Sequence, residues 1–411
     1  MTKSWRVVAL ITLISGVAYL VRTDIAVAQE RMVPALGLTM AGMGAITAWG
    51  FQLTYALLQV PAGLFGERFG VRMALGLAIL GCAVASLATA WMPANGAIGT
   101  LVATRVLLGA SQAAIFPVAA LAVSQYVASE HRLRANALYI ASASLGAAVA
   151  PVLMAPVMER FGWRAVFLVS GIIGALTVVA CFTMLPRPEA RVASDAARTT
   201  VAVQLRDARR LLLMPNLQRL SLAYLLHSAV YFVFVFWFFR YLTEGRGFTV
   251  LASGVWAALP NVAGFVAAPL IGALADRAGR RIGGGRARRR VAMGCLLSAT
   301  ALSLVGALVP GAVLAIVALS LSSASVNGAE SPFFTTATII GATNPGAAAG
   351  VLNLMGNLGG VLSIWLVPIM SATLGWNGTI ICWSAVACTA ALLWLTVQAP
   401  DDAPPTIATP T

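Results

Sequence analysis

Five ionisable side chains fall inside long apolar runs of the sequence, where they could bind a charged solute or carry a proton. They are Arg22, Asp24, Arg105, His227 and Glu330. Placing a charge in the apolar interior of a membrane costs roughly 3 kcal/mol or more, so such residues usually have a ligand, an ion or a partner charge. These five residues are therefore the first candidates for a functional site.

Arg22 is the candidate for holding an anion. Tyr19 at i−3 and Gln29 at i+7 lie on its helical stripe, whereas Asp24 points about 200° away. A guanidinium can bind a carboxylate or phosphate through two parallel hydrogen bonds. We predict that Arg22 and Tyr19 face a cavity and that Arg22 is the countercharge of an anionic substrate. The alternative is an ion pair between Arg22 and an acid of a neighbouring helix.

Glu330, Asp24 and His227 are the residues that could couple transport to a proton. Glu330 lies about one to two turns from midspan, where a carboxylate could bind a proton in one conformation and release it in another. Asp24 could do the same, but the favoured interpretation is a structural ion pair with Arg105. His227 shares a helical face with Tyr231. It is either a packed or pore-lining residue, or else it binds the substrate or titrates.

The composition indicates that membrane-spanning elements position these residues. Of the 411 residues 60% are hydrophobic and 10% are charged, and the mean hydropathy is +0.88, which excludes a soluble domain. A spanning helix needs about 20 apolar residues, and in hydrocarbon its backbone groups must be paired within the segment. Twelve such runs are present, at 6–28, 40–65, 73–92, 97–124, 135–157, 165–185, 217–242, 250–274, 290–309, 312–338, 346–370 and 376–397.

Six runs lie on each side of a polar segment, so we expect an all-α membrane protein with 12 transmembrane helices in two pseudo-symmetric six-helix bundles. Residues 1–186 would form the first bundle and 217–398 the second. Residues 187–216 would be an amphipathic cytoplasmic linker, and 399–411 a disordered cytoplasmic tail.

A charged hairpin occurs once in each half. Gly63-Leu-Phe-Gly-Glu-Arg-Phe-Gly-Val-Arg72 returns 209 positions later as Gly272-Ala-Leu-Ala-Asp-Arg-Ala-Gly-Arg-Arg281. This recurrence indicates an internal duplication. Each copy places an acid beside an arginine at a helix end, where the two could latch the cytoplasmic side when it is closed. The predicted gate residues are Glu67, Arg68, Asp276 and Arg277, and the alternative is a capped hairpin set by topology alone.

The basic residues predict the orientation of the chain. Twenty of the 27 lysines and arginines fall in loops on one side of the predicted spans, and five fall on the other. The positive-inside rule then places both termini and the central loop in the cytoplasm. The arginines flank the membrane without interleaved aromatic residues, which favours contact with anionic lipid over nucleic acid. One lysine against 26 arginines suggests a GC-rich bacterial genome and hence a bacterial cytoplasmic (inner) membrane.

The charged hairpin resembles the G-x-x-x-D-R-x-G-R-R signature of the major facilitator superfamily. The second copy fits it well, and the first has Glu67 for the usual Asp and Val71 for a basic residue. Gly162-Trp163-Arg164 before the sixth span is echoed by Gly375-Trp376-Asn377 before the twelfth. The resemblance covers residues 5–397 and implies two six-helix bundles around a cavity that opens alternately to either side.

Three further segments are similar to the anion:cation symporter branch of that superfamily, which includes sugar-acid, sialic-acid and vesicular glutamate carriers. They are Tyr19-Leu-Val-Arg22-Thr-Asp-Ile-Ala26, Phe51-Gln-Leu-Thr-Tyr55-Ala-Leu-Leu-Gln59 and Asn353-Leu-Met-Gly356-Asn357-Leu-Gly-Gly360. The resemblance implies that Tyr19, Arg22, Tyr55 and Asn353 contact the substrate, with Asn357 as a further candidate. The alternative for the two asparagines, which share a helical face, is polar packing between helices.

The sequence departs from this branch at two positions. Proton-coupled relatives carry an acid just before the arginine of the first helix and a glutamate before the Phe-Pro pair of the fourth. Here those positions are Val21 and Gln112, and neither side chain can carry a proton. Any proton coupling must then use Asp24, Glu330 or His227.

We therefore expect a secondary active transporter that takes up a small organic anion, a carboxylate or sugar acid, by proton- or cation-coupled symport. Its partners would be the anion, the coupling proton or cation and the lipid bilayer, and the protein would act as a monomer. The alternative is a proton-coupled carrier of a bulkier metabolite, siderophore or drug, in either direction. Six aromatic residues of the seventh span, Phe232, Phe234, Phe236, Trp237, Phe238 and Phe239, would suit such cargo, although most should face lipid. The chain has no Ser/His/Asp set, metal-ligand spacing or phosphate loop, so neither enzyme activity nor a cofactor or metal is expected.

Overall fold

The computed structural model describes residues 3–93, 97–186, 211, 213–342 and 345–400, and within these ranges the regular structure is helical throughout. Most of the predicted linker 187–216 and all of the predicted tail beyond residue 400 lie outside the described residues. In the described part the helices follow the predicted apolar runs.

Twelve helices, α1 to α12, are present among the described residues, and ten of their helical segments are long and apolar enough to cross a membrane. In the first half α1 is Lys3–Ala35, α2 joins Met40–Ala45, the π-helical Ile46–Leu53 and Thr54–Phe69, α3 is Val71–Ala90, α4 joins Ala97–Gln112 and Ile115–Tyr126, α5 is Ser129–Phe161 and α6 is Trp163–Met184. In the second half α7 joins Pro215–Phe236, Phe238–Arg240 and the π-helical Tyr241–Gly245, α8 joins Val250–Trp256 and Leu259–Ile282, α9 is Gly284–Leu308 and α10 is Ala312–Ile340. The segment Pro345–Leu393 bends at Gly375, where φ is 68°, and so supplies both α11 and α12.

The turns between the helices repeat between the two halves. All positive-φ residues in the described part of the chain are glycines, because a β-carbon disfavours that conformation. Gly70 between α2 and α3 has φ 84°, and Gly283 between α8 and α9 has φ 89°. Gly162 and Gly375 occupy matching turns before α6 and α12, and both pairs are 213 positions apart. These paired turns confirm the predicted fold class of two related six-helix bundles.

The acid and arginine of the second charged hairpin lie within helix α8, whereas the sequence predicts that they follow the end of the eighth span. The predicted span ended at residue 274, but α8 continues to Ile282, and Gly283 rather than Gly279 makes the bend. Asp276 and Arg277 therefore lie within the last turns of α8. The predicted end of the span was too early because a run of arginines was assigned to a loop. Arginine is in fact a good helix former, and basic residues are favourable at a helix C-terminus.

Close packing within each half positions the cavity-lining helices. α1 packs along α5 and α7 packs along α11, while α2 contacts α11 and α5 contacts α8 across the two halves. A glycine allows close approach in each intra-half pair, Gly146 of α5 against the backbone of Gly16 and Gly359 of α11 against the carbonyl of Leu225. Matching helices of the two halves therefore approach their neighbours in the same way.

The aromatic residues of α7 do not face lipid, contrary to the prediction. Trp237 is 2% exposed, and the other five rings between Phe232 and Phe239 are buried as well. α7 packs against α10, α11 and α12 in its own half and touches α1 of the other half. Neighbours on most sides of α7 leave little of its surface for lipid, so the rings form part of the core.

Candidate functional site

A cavity of about 180 Å³ lies between the two halves, near the middle of the helices. α1, α2, α4 and α5 line it from the first half, and α7, α10 and α11 line it from the second. Arg22 and Glu330 are the charged side chains among its lining residues. Its wall also carries the four tyrosines Tyr19, Tyr55, Tyr224 and Tyr231.

Arg22 lies at the cavity in a setting of neutral groups. Its Nε donates to Oε1 of Gln112 at 2.9 Å, and Nε2 of Gln112 donates in turn to the carbonyl of Ala18 at 2.8 Å. The guanidinium carbon is 4.5 Å from the ring centre of Tyr19 and 4.3 Å from that of Tyr55. The Nε bond orients the guanidinium, which also lies within hydrogen-bonding reach of the Tyr55 side chain.

No carboxylate of the described residues forms an ion pair with Arg22. The ion pairs between described residues do not include this residue, which excludes the alternative of a structural pair with a neighbouring helix. The side chain is only 2% exposed, so its charge sits under aromatic rings rather than in bulk water. Contact with a ring face stabilises a desolvated cation by about 2 kcal/mol, but it does not cancel the positive charge.

The two predicted asparagine ligands line the cavity and also bridge the halves. Oδ1 of Asn357 accepts from Nε2 of Gln52 at 2.7 Å, and Nδ2 of Asn353 donates to Oε1 of Gln59. Both glutamines belong to α2 and both asparagines to α11. Sequence reasoning placed the asparagines at the cavity but missed their glutamine partners, although Gln52 and Gln59 lie seven residues apart on one helical face.

Glu330 enters the cavity from α10, on the side formed by the second half. Its side chain is 45% exposed, and its Oε1 accepts a hydrogen bond from the Tyr224 hydroxyl at 2.6 Å. His227 does not line the cavity. It is 1% exposed and lies behind Glu330, with its Nδ1 at 3.8 Å from Oε2. The structure thus places Glu330, but not His227, in contact with the cavity space.

Asp24 and Arg105 lie inside the first bundle, away from the cavity lining. They interact electrostatically, but the direct ion pair expected from the sequence is not formed. Nη2 of Arg105 donates instead to Thr89 at 3.0 Å, and both carboxylate oxygens of Asp24 lack a hydrogen-bond partner. Thr89 lies on α3, so this contact involves a third helix that in-helix spacing does not reveal.

Contacts between the halves are concentrated at the end of the bundle opposite the basic loops. There Arg240 of α7 pairs with Glu30 of α1 at 3.2 Å, and the rings of Trp49 and Trp365 meet at 5.7 Å. Hydrogen bonds and ion pairs between described side chains of the two halves run from this end to the Asn353–Gln59 bond.

The predicted gate residues lie at the basic end. Arg68, Asp276 and Arg277 are exposed and Glu67 is partly exposed. None of the four is part of an ion pair between described residues. The latch predicted from the sequence is therefore not engaged in this conformation.

Comparison with known proteins extends this picture. The sequence profile described as the Major Facilitator Superfamily matches residues 8–364. A D-galactonate transporter of Escherichia coli O6:H1 is 27% identical, over 92% of each chain. A probable galactarate/D-glucarate transporter of Bacillus subtilis is 25% identical, over 96% of this chain and 92% of the relative. A probable sulfoacetate transporter of Cupriavidus necator is 26% identical, over 84% of this chain and 82% of the relative.

Solved structures share the fold at low identity. A bacterial homologue of the human lysosomal transporter Spinster superposes with a TM-score of 0.77 at 16% identity, covering 97% of both chains. A D-xylose-proton symporter superposes with a TM-score of 0.72 at 16% identity, covering 97% of this chain and 98% of that one. At this identity the similarity establishes the fold alone.

Proposed function

The chain belongs to the Major Facilitator Superfamily, whose matched relatives are transporters rather than enzymes, and we propose that it carries a small organic anion across a membrane. The anion is a carboxylate or sugar acid, and transport proceeds by alternating access of the cavity between the halves. The named cargoes of the three relatives, galactonate, galactarate or glucarate, and sulfoacetate, are all anions.

The uncompensated charge of Arg22 is the observation that carries this proposal. A buried guanidinium without a carboxylate partner is costly unless a ligand supplies the negative charge. Gln112 holds Arg22 by its Nε, so the terminal nitrogens can make the two parallel bonds that a carboxylate accepts. Tyr19, Tyr55, Asn353 and Asn357 complete the ligand set that we propose.

We propose a proton as the coupling ion and Glu330 as the group that binds it. Glu330 is the acid on the cavity wall, whereas Asp24 is not among the lining residues. A carboxylate that faces the cavity can exchange protons with whichever side the cavity opens to.

We further propose that the basic face is cytoplasmic, in accord with the positive-inside rule, and that the protein lies in a bacterial inner membrane as a monomer. On this assignment the contacts between Glu30 and Arg240 close the outer side. The free gate residues at the basic face then correspond to a conformation open to the cytoplasm.

A thermal-shift screen of the purified protein tests the proposed cargo class. The panel contains sugar acids, aromatic acids, dicarboxylates and siderophores, each at two pH values. We expect at least one small carboxylate to raise the melting temperature by roughly 2–5 °C at saturation. The shift should vanish in Arg22→Ala and persist in Arg31→Ala, because Arg31 is exposed and pairs only with Glu159. An equal carboxylate shift in Arg22→Ala would show that the anion binds elsewhere.

A second candidate cargo is a bulkier metabolite, siderophore or drug. The cavity lining favours it to some extent, since six aromatic side chains contribute to the wall, among them Phe116 and Phe232. The same screen separates the two candidates. A siderophore shift that survives in Arg22→Ala, with no response to small carboxylates, would establish the bulkier cargo.

A further inference from the structure

The buried side chain of His227 is held in one tautomer by its surroundings. Its Nε2 lies 2.8 Å from the carbonyl oxygen of Val326. A carbonyl oxygen can only accept a hydrogen bond, so Nε2 must carry the hydrogen. In the neutral ring this leaves Nδ1 without a hydrogen and with an exposed lone pair.

This lone pair faces the carboxylate of Glu330. Nδ1 is 3.8 Å from Oε2 of Glu330 and has no hydrogen-bond partner, although it is buried. The other carboxylate oxygen, Oε1, already accepts the hydroxyl of Tyr224. When Glu330 is ionised and His227 is neutral, Oε2 of Glu330 and Nδ1 of His227 are both hydrogen-bond acceptors, and neither can donate to the other. One added proton, on either Oε2 or Nδ1, converts this into a donor and an acceptor.

We propose that Glu330 and His227 together bind one proton and form the coupling site of the carrier, an inference that rests on the proposed anion transport. His227 acts through Glu330, which alone of the two meets the cavity. The proton comes from water on the side to which the cavity is open, and it returns to water on the other side. No other bond changes in this step.

The groups around the pair are few and can be named. Tyr224 and Tyr231 of α7 and Tyr19 of α1 interact electrostatically with Glu330, and Arg22 shares its cavity. Pro345–Leu393, which forms α11 and α12, contains no charged residue. The charged residues of α8 and α9 lie in the turns beside Gly283 at the basic face. The charge of the cavity therefore depends mainly on Arg22 and on the proton of this pair.

Proton binding would change the net charge presented to the substrate. Without the proton, the charges of Arg22 and Glu330 on the cavity wall sum to zero although the two groups form no ion pair, and an incoming anion meets one like charge. With the proton, Arg22 is left as a net positive charge that favours the anion. Anion binding is then strong below the pH at which the pair loses its proton and weak above it. One proton would accompany each anion.

Nuclear magnetic resonance of labelled imidazole nitrogens tests the site without a substrate. The chain has two histidines, so His131→Gln in the full-length protein leaves the signals of His227 alone. We expect the tautomer with hydrogen on Nε2 at high pH and a single protonation at Nδ1 as the pH falls. In Glu330→Gln the ring should bind that proton at least about tenfold more weakly, because the negative charge is gone and an amide N–H can donate to Nδ1. Asp24→Asn is the matched control and should leave the titration unchanged.

Hydrogen on Nδ1 in the neutral ring, or an unaltered titration in Glu330→Gln, would overturn the proposal. The coupling role is tested separately with the carboxylate that binds best in the screen, by following proton uptake in weakly buffered solution. We expect one proton per bound anion in the wild type and none in Glu330→Gln. Anion binding without proton uptake would refute the coupling site while leaving the proposed cargo intact. Failure of every carboxylate to bind would instead refute the cargo, and the resonance experiment would still decide the proton site.

Discussion

Neutral partners hold the positive charge of Arg22 in place. Gln112 binds Nε, and the rings of Tyr19, Phe51 and Tyr55 surround the guanidinium at 4.3 to 5.1 Å. Such partners orient the side chain without cancelling its charge. A glutamate at this position, which the resemblance to proton-coupled symporters would imply, would place a titratable acid against the arginine, whereas the amide of Gln112 stays neutral at every pH.

Replacing Gln112 with glutamate tests this interpretation. The new carboxylate would stand where Oε1 now lies, 2.9 Å from Nε, and would pair with Arg22. We expect carboxylate binding at neutral pH to weaken about tenfold or more, and to recover as the pH falls and the glutamate is protonated.

Calorimetric titration at two pH values provides the measurement. The control is Gln125→Glu, which adds the same charge to the same helix at an exposed position. Affinity in Gln112→Glu equal to that of the wild type at both pH values would mean that Arg22 does not face the bound anion.

Residue chemistry was predictable from the sequence where the partners share one helix. Tyr19 and Arg22 are three residues apart, so their shared face follows from helical geometry alone. The role of Gln112 and the bridging bond of Gln52 were missed, because each requires the rotation and register of two different helices. The charges of Asp24 and Arg105 interact as predicted but form no direct ion pair, and Arg105 donates to Thr89 of α3, a contact that also requires the register of different helices.

The helix pairs that frame the cavity depend on close backbone approach. A β-carbon at Gly359 would overlap the carbonyl of Leu225 in α7. We expect Gly359→Ala to lower stability by about 1–3 kcal/mol through overpacking, which corresponds to a melting temperature lower by roughly 1–4 °C.

Thermal unfolding of purified variants measures this effect. Gly350→Ala is the matched control in the same helix, because a β-carbon there meets no atom within 4 Å. The control should be neutral or slightly stabilising. If the two variants melt alike, the contact between α7 and α11 is looser than the structure indicates.

Helix boundaries and faces were predictable to different degrees. The apolar runs predicted the twelve spans, but the eighth was predicted to end at residue 274, whereas the arginines extend α8 to Ile282. The aromatic residues of α7 were assigned to lipid because they occupy every side of the helix. A helix surrounded by neighbours and a helix surrounded by lipid are both apolar all round, so composition could not distinguish the two.

Few polar contacts between the two halves close the cavity at the face opposite the basic loops. The pair of Glu30 with Arg240 joins the halves there, and both side chains are about 15% exposed. We expect Arg240→Ala to shift the population toward a conformation open at that face, because partly buried pairs contribute more than surface pairs.

Spin labels at residues 35 and 373, at the exposed ends of α1 and α11, report the opening as a distance. Longer distances should become populated in Arg240→Ala and not in Arg31→Ala, whose pair with Glu159 lies within the first half. An unchanged distance distribution in Arg240→Ala would exclude this pair as a closing contact.

The duplicated architecture was predictable because the charged hairpin and the Gly-Trp turns recur in both halves. The conformation was not predictable, since the open and closed states use the same helices and differ only in contacts between the halves. Glu30 and Arg240 are 210 positions apart in the chain, and no local sequence pattern indicates that they form an ion pair.

Uptake into proteoliposomes tests the central claim, that Arg22 holds the anionic substrate, most directly. The carboxylate that binds best in the screen is compared with its uncharged alditol in the wild type, in Arg22→Lys and in Arg31→Lys. We predict that the wild type takes up the carboxylate and not the alditol. Carboxylate uptake should fall about tenfold or more in Arg22→Lys, because lysine keeps the charge but loses the two parallel bonds. It should be unchanged in Arg31→Lys. Equal uptake of the alditol, or full carboxylate uptake by Arg22→Lys, would contradict the account.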